Sequence, residues 1–317
     1  MPVNAKLIIL WLVCLIIIIS ALFYRLYNTY VNSDPQRPEL SENNIIPEET
    51  SQLFYDDTEA IEPENKTDKT VIETKTPRSP VTAKSYLVGN VMTGEIYMTR
   101  NQNLVLPVAS MSKLITAVES IDQFSLSGTT TVASSTIDYP DAQKYTVGEI
   151  FTIEEALYPL LVSSSNIMAE TLASTTSRTR FMDLMSSYAW EIGMPATYFA
   201  DPSGLSPQNM SSASDFFALA RYLFNMRPDI LTITKTPKFT LATTTEHGYR
   251  EVNSTHPFVN EPNFLGGKTG KTPQARDTML TILSINNIPV AFIVLGSEDR
   301  KKDTLYLVEQ VKNIIGK

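Results

Sequence analysis

From residue 7 to residue 23 nearly every position is apolar (LIILWLVCLIIIISALF). At 1.5 Å per helical residue, about 17 such positions span roughly 26 Å, close to the hydrocarbon core of a bilayer. Trp11, Tyr24 and Tyr27 stand where interfacial aromatics are found. A cleaved signal peptide needs a small-x-small site after its apolar run. Ser20-Ala21-Leu22-Phe23-Tyr24-Arg25 is a poor one, so residues 1–27 are expected to be an uncleaved transmembrane helix. Cys14 sits inside the run rather than at its end, and reads as a membrane-embedded apolar residue. Then the pattern stops. Residues 28–83 are rich in Asn, Pro, Glu, Asp and Thr, with no sustained apolar period. That is the composition of a solvated, disordered tether. About 50 such residues have an r.m.s. span of roughly 40 Å.

Apolar patterning resumes near Ser85, and residues 84–317 are expected to be the globular domain. Tyr86–Val91 reads as a strand, Thr93-Gly94 as a turn and Glu95–Met98 as a returning strand. Helix alternates with loop from about Ser110 to Asn225. Thr152-x-x-Glu155 is a capping box opening a helix through Leu161, and Ile167–Leu172 begins another. Phe264–Lys271, Thr278–Ser284 and Val290–Leu295 read as strands, the last two joined through Asn286-Asn287, a hairpin signal. Arg300–Ile315 closes the chain as an amphipathic helix with Leu305, Val308, Val311 and Ile315 on its apolar stripe. Strands at both ends with helices between predict an α/β fold of the α+β kind. It has one antiparallel sheet flanked by helices, with an inserted helical lobe.

Charge sharpens this division. The chain of 317 residues carries a net −8, with pI near 5.0, which argues against nucleic acid as a partner. Residues 1–33 carry net +2, residues 34–78 net −7 and residues 79–317 net −3, so the acidity belongs to the tether. One cysteine and two histidines leave no basis for a disulfide scaffold or a histidine-rich metal site, and no metal or cofactor is expected.

Three constellations carry candidate chemistry. In Ala109-Ser110-Met111-Ser112-Lys113, positions i and i+3 of a helix share a face, so Lys113 lies beside Ser110. A serine hydroxyl needs a base to become nucleophilic, and a lysine serves once desolvation or a neighbouring cation lowers its pKa. Ser112 is a rival hydroxyl, but i and i+1 do not face each other. Alone, Ser-x-x-Lys is also what an ordinary surface helix shows. Ser163-Ser164-Ser165-Asn166 breaks one helix before the next begins; it offers hydroxyl and amide groups to a cleft, or simply an N-cap. Gly266-Gly267-Lys268-Thr269-Gly270-Lys271 places glycines in a strand, where they permit close backbone approach. Lysine and threonine there suit a carboxylate; exposed lysines on a hairpin are the blander reading. The phosphate-binding pattern Gly-x-x-x-x-Gly-Lys-[Ser/Thr] does not occur.

The order Ser-x-x-Lys, Ser-x-Asn, Lys-Thr-Gly is far more specific than any part, and is the motif set of penicillin-binding proteins and serine β-lactamases. Ser110–Lys113, Ser164–Asn166 and Lys268–Gly270 resemble those of the D-alanyl-D-alanine carboxypeptidases, the low-molecular-mass penicillin-binding proteins of the serine peptidase S11 type. Gly193-Met194, Asp201-Pro202-Ser203-Gly204-Leu205 and Ser212-Ala213-Ser214-Asp215 extend the likeness, which runs from about Ala83 to the end. The resemblance implies a β-lactamase/DD-peptidase-like fold and acyl transfer through a serine ester. Ser110 would attack the D-Ala–D-Ala carbonyl and Lys113 accept its proton. Ser164 would relay a proton to the leaving D-alanine. Asn166 would bind substrate or orient Lys113, and Lys268 and Thr269 would bind the terminal carboxylate beside Gly270. The backbone N–H groups of Ser110 and Lys271 would form the oxyanion hole. Repulsion among nearby lysines is expected to depress Lys113.

Lys271 stands where a smaller or aromatic residue is more familiar in that family and Arg276 where glycine is usual, and Ser165 fills the middle of the second motif. No Glu-x-x-Leu-Asn deacylation base follows Asn166, which disfavours a β-lactamase. D,D-endopeptidase action and a non-catalytic penicillin-binding sensor remain as alternatives. His247 and His256 read as loop or core residues, and Asp201 and Asp215 as braces or caps of helices. The expected partners are peptidoglycan stem peptides, with β-lactams as inhibitors. That substrate orients the anchor: a single-pass protein of the bacterial cell membrane with its catalytic domain outside.

Overall fold

The computed structural model of the chain describes residues 80–134 and 139–316. The expected anchor, and the expected tether up to residue 79, lie outside the described residues. Among the described residues no helix is long and apolar enough to cross a membrane.

In chain order, strands β1 (Ser85–Asn90), β2 (Ile96–Arg100) and β3 (Leu106–Pro107) lead to a 3-10 turn (Ala109–Ser112) and helix α1 (Lys113–Gln123). Next come β4 (Thr129–Thr131), β5 (Ile150–Thr152), α2 (Ile153–Leu161), α3 (Asn166–Ala173) and α4 (Arg178–Glu191). They are followed by β6 (Met210–Ser211), α5 (Ala213–Met226), α6 (Pro228–Thr234), β7 (Lys238–Leu241) and β8 (Arg250–Asn253). The chain ends in β9 (Phe264–Thr272), β10 (Arg276–Ile285), β11 (Ile288–Ser297) and α7 (Arg300–Ile315).

Local chemistry sets many of these boundaries. Thr152 and Glu155 make the expected capping box at α2. Ser165, Ser177, Ser212 and Asp299 each accept a backbone N–H from the residue three positions on, opening α3, α4, α5 and α7. Asn286 and Asn287 both adopt positive φ, 50° and 63°, the conformation a two-residue hairpin between β10 and β11 requires.

The main sheet has the order β2-β1-β11-β10-β9, and its strand pairs are antiparallel. The two ends of the domain meet in it, Ser85 opposite Leu295 and Asn90 opposite Val290. Alternate residues of β11 serve two cores. Ala291, Ile293 and Leu295 join the cluster shared with α1 to α5, whereas Val290, Phe292 and Val294 pack with Leu307, Val308 and Val311 of α7. Burial on both faces explains why β11 reads as a nearly unbroken apolar run. Two corrections follow. Leu305 is exposed, and the α7 stripe runs through Thr304, Leu307, Val308 and Val311, because Asp303 and Thr304 turn inward. The packed domain also takes in residues just before 84. Val81 and Ala83 are buried, and the Thr82 and Ala83 amides donate to the Asp303 carboxylate at 2.9 and 2.8 Å. Those contacts span most of the domain and leave no periodic trace.

Strand β9 is an edge of the sheet, and the Ala109–Ser112 turn packs beside it. The helical lobe supplies α1 and the turn before α3, so the three motifs meet along this seam.

Candidate active site

The Ser110–Lys113 pair forms at a change of helix type. Ser110 lies in the 3-10 turn, and Lys113 is the first residue of α1. In a 3-10 turn residues i and i+3 eclipse, which brings Lys113 Nζ to 2.9 Å from Ser110 Oγ. The turn is strained: Ala109 has φ 51°, a left-handed conformation costing about 1–2 kcal/mol for an L-residue with a Cβ. Its surroundings hold it. Val108 O accepts from Thr278 Oγ1 at 3.0 Å, and Ala109 O accepts from Ser112 Oγ at 3.1 Å. Ser112 is thereby occupied away from Lys113. Gly204, at φ 82°, lies so close that a Cβ there would sit 2.1 Å from Ala109 O. A Cβ on Gly270 would meet Val108 O at 2.7 Å, so the glycine of the third motif lets β9 lie against the serine turn.

Lys113 Nζ makes two more bonds, to Asn166 Oδ1 at 2.8 Å and to Ser203 O at 2.5 Å. All three ammonium donors thus have acceptors. Ser164, with φ 63°, turns its hydroxyl the other way, to Lys268 Nζ at 2.8 Å. Lys268 also donates to Thr269 O at 2.9 Å, and the Thr269 hydroxyl lies 3.1 Å from that of Thr255. The structure therefore brings Ser110, Lys113, Ser164, Asn166, Lys268, Thr269 and Gly270 into one seam. Lys271, paired with Asp277 across the β9–β10 ladder, has an exposed side chain 3.1 Å from that carboxylate.

Both lysines are buried, and among the described residues neither pairs with a carboxylate. Burial disfavours the charged form and lowers Lys113 to about 7, against the opposing pull of Asp201, Asp141 and Glu170. Of the two causes expected from the sequence, desolvation is the leading one for Lys113, and lysine repulsion is felt instead at Lys268. Lys268 is also pushed well below the ordinary lysine value, first by burial, then by repulsion from Lys113 and Arg300.

Residues 70–299 match the sequence model of the peptidase S11 family, D-alanyl-D-alanine carboxypeptidase. The chain belongs to the peptidase S11 family. A D-alanyl-D-alanine endopeptidase of Pseudomonas aeruginosa is 31% identical over 67% of this chain and 71% of its own length. The D-alanyl-D-alanine carboxypeptidase DacF of Bacillus subtilis is 27% identical over 69% of this chain and 59% of its own. Among solved structures, penicillin-binding protein D2 of Listeria monocytogenes in its cefotaxime-bound form matches with TM-score 0.63 and 27% identity. It covers 72% of this chain and 96% of that one.

Within this S11 peptidase, Asp201 braces a loop rather than a helix. Its carboxylate accepts the backbone amides of Ser203, Gly204 and Ser206 at 2.6–2.7 Å, which fixes Ser203 O under Lys113. Asp215 belongs to the N-terminus of α5, where Ser212 accepts its amide, and also receives the Ala196 amide at 2.8 Å. His247 stacks on Phe151, and His256 packs behind β9 with its Nε2 3.2 Å from Leu280 O; both are buried. Three residues escape a reading of the sequence. Asp141 accepts from the Ser165 hydroxyl at 2.5 Å. Thr255 joins Thr269 and donates its amide to Val162 O at 3.1 Å. Arg300 donates to Gly270 O at 2.7 Å. Each lies outside the three motifs, so no short spacing marks it.

Proposed function

We propose that this chain is a serine-type D-Ala-D-Ala carboxypeptidase that removes the terminal D-alanine of peptidoglycan stem peptides through an acyl-enzyme on Ser110. The observation that carries the reading is a fully buried lysine, lowered to about 7, with its nitrogen 2.9 Å from a serine hydroxyl. Neutral Lys113 takes the Ser110 proton as Oγ attacks the carbonyl carbon. The carbonyl oxygen becomes an oxyanion that receives the backbone N–H groups of Ser110 and Lys271; one such donor is typically worth roughly 3 kcal/mol of barrier. Ser164 passes a proton to the departing amine of D-alanine, drawing on Lys113 or Lys268. Water then attacks the ester and restores Ser110. Lys268 is buried with no counter-charge among the described residues, and a substrate carboxylate between Lys268, Thr269 and Arg300 supplies one. Because the base must be neutral, acylation is expected to rise through pH 7 and level off above it.

A second reading is D,D-endopeptidase action on cross-links, favoured by the endopeptidase name of the Pseudomonas relative. We further propose that residues 1–27 anchor the protein through the apolar run 7–23, that the residues from 28 up to the packed domain, which begins near Val81, tether it, and that the domain works outside the bacterial cell membrane. The motif set and the apolar run support this.

Labelling the full-length protein with a fluorescent penicillin, followed by mass spectrometry, tests the chemistry. The expected result is a stable adduct on Ser110, absent in Ser110→Ala, with D-alanine released from a D-Ala–D-Ala peptide. No adduct and no D-alanine from the wild type would sink the reading, and rapid drug turnover would replace it with a β-lactamase. Cleavage of cross-linked muropeptide dimers in preference to pentapeptide monomers would select the endopeptidase.

A further inference from the structure

The turn that presents Ser164 and Asn166 is held from outside the three motifs. Its backbone is in an unfavourable conformation at Ser164, with φ 63°, immediately before α3. The two residues that follow are gripped by a single carboxylate. Asp141 accepts the Ser165 hydroxyl at 2.5 Å and the Asn166 amide at 3.1 Å. Ser165 in turn caps α3 by accepting the Met168 amide at 3.2 Å. The serine in the middle of the second motif, otherwise unexplained, is thus the handle that Asp141 holds.

Asp141 is itself fixed. It opens a 3-10 turn (Ala142–Lys144), where its carbonyl accepts the Lys144 amide at 3.0 Å. The Lys144 carbonyl accepts Arg250 Nε of β8 at 2.9 Å. The Arg250 guanidinium stacks 4.8 Å above the Tyr145 ring and pairs with Glu149. On the other flank, Tyr139 donates to Glu170 of α3 at 2.7 Å. The loop is therefore braced against β8 and α3, and the carboxylate is delivered to the motif turn from a firm base.

Its charge also matters. Lys113 is faced by Asp201 from the loop beneath it, by Glu170 from α3, by Asp141, and across the seam by Lys268 of β9. Glu170 is already engaged by Arg178 at 2.8 Å and by Tyr139. Asp201 is occupied by loop amides. Asp141 accepts the hydroxyl of Ser165 and the backbone amide of Asn166, and among the described residues no cation forms an ion pair with it.

We propose that Asp141 is a positioning residue of the acyl-transfer site: its carboxylate clamps the Ser164–Asn166 turn and adds a negative charge to the field around Lys113. The Lys113 ammonium donates to Ser110, Asn166 and Ser203 rather than to Asp141, which acts through Ser165 and Asn166. The proposal rests on the acyl-transfer reading above.

The test compares Asp141→Asn and Asp141→Ala in the full-length protein. The readout is the second-order rate of acylation by a fluorescent penicillin between pH 5.5 and 9, with thermal melting as a check on folding. Asparagine keeps an acceptor for Ser165 but removes the charge. The rising limb should therefore move to lower pH, by more than about 0.3 unit, with the alkaline plateau within about threefold of wild type. Alanine removes the clamp as well, and the plateau should fall at least about tenfold. If Asp141→Ala does not fold, the asparagine limb still decides. An unmoved limb in Asp141→Asn overturns the proposal, whether the plateau holds or falls. A wild type that forms no adduct fails the acyl-transfer reading instead, which the same assay records before any variant is compared.

Discussion

At the scale of single residues, the placement of Lys113 beside Ser110 was legible from i, i+3 spacing, but whether burial or a neighbouring cation lowers the lysine was not. Spacing places the amine beside the hydroxyl; only the packing of α1 under the Asp201 loop removes it from water. Arg276 shows the converse. The sequence marks it as an unusual residue after the third motif, and the structure gives the reason glycine suits the position: φ is 58°. The left-handed backbone costs an arginine about 1 kcal/mol or more. Its ion pair with Glu298 is solvent-exposed on both sides and contributes little. Arg276→Gly should therefore leave stability unchanged or raise it by up to about 1 kcal/mol in denaturant unfolding, despite the greater freedom of glycine in the unfolded chain. A loss of more than about 1 kcal/mol would mean that the Glu298 pair, not the backbone, decides this turn.

At the scale of elements, capping and turn residues did most of the specifying. The α2 capping box, the Asn286-Asn287 hairpin and the limits of α7 were all read from local sequence, because each depends on contacts within a few residues. The Ala109–Ser112 turn depends instead on elements far away in sequence. Gly204 comes from the Asp201 loop, Gly270 from β9 and Thr278 from β10. Gly204→Ala combines a positive φ with a Cβ 2.1 Å from a backbone oxygen that is already fixed. The expected cost is at least about 2 kcal/mol of stability, together with a large fall in acylation rate as the Ser110 turn shifts. Equilibrium unfolding and penicillin labelling of the same sample check both. Wild-type labelling in a destabilised variant would show that the turn keeps its geometry without this packing.

For the whole molecule, a buried histidine and hydrogen-bonded carboxylates make stability sensitive to acid. His256 is buried behind β9, where Nδ1 accepts the Phe258 amide at 3.3 Å and Nε2 faces Leu280 O at 3.2 Å. Both contacts suit the neutral ring, and burial lowers its pKa from 6.5 to about 3. Between those values the unfolded chain binds a proton that the folded chain refuses. The stabilisation is complete above 6.5 and is lost as pH falls toward 3. The slope contributed by one such group approaches about 1.4 kcal/mol per pH unit. Glu149 and Glu155, both held below the ordinary carboxylate value by hydrogen bonds that outweigh burial, act in the same direction at lower pH. His256→Gln should be less stable than wild type at pH 7.5, yet lose stability less steeply between pH 6.5 and 4. Parallel curves for the two proteins in pH-dependent unfolding would remove His256 from this account.

The sequence by itself determined the order of the three motifs, the strands at both ends of the domain and the helices between, and through them the family. These are properties of short spacings, of period-2 and period-3.6 patterns and of capping residues, which any segment carries with it. Tertiary structure decided the rest. It chose Leu307 over Leu305 for the α7 stripe, because helix orientation is set by the sheet it covers. It made burial the main force on Lys113, since desolvation exists only once distant segments close over the amine. It recruited Asp141, Thr255 and Arg300 to the seam, because hydrogen bonds between residues far apart in sequence leave no pattern along the chain.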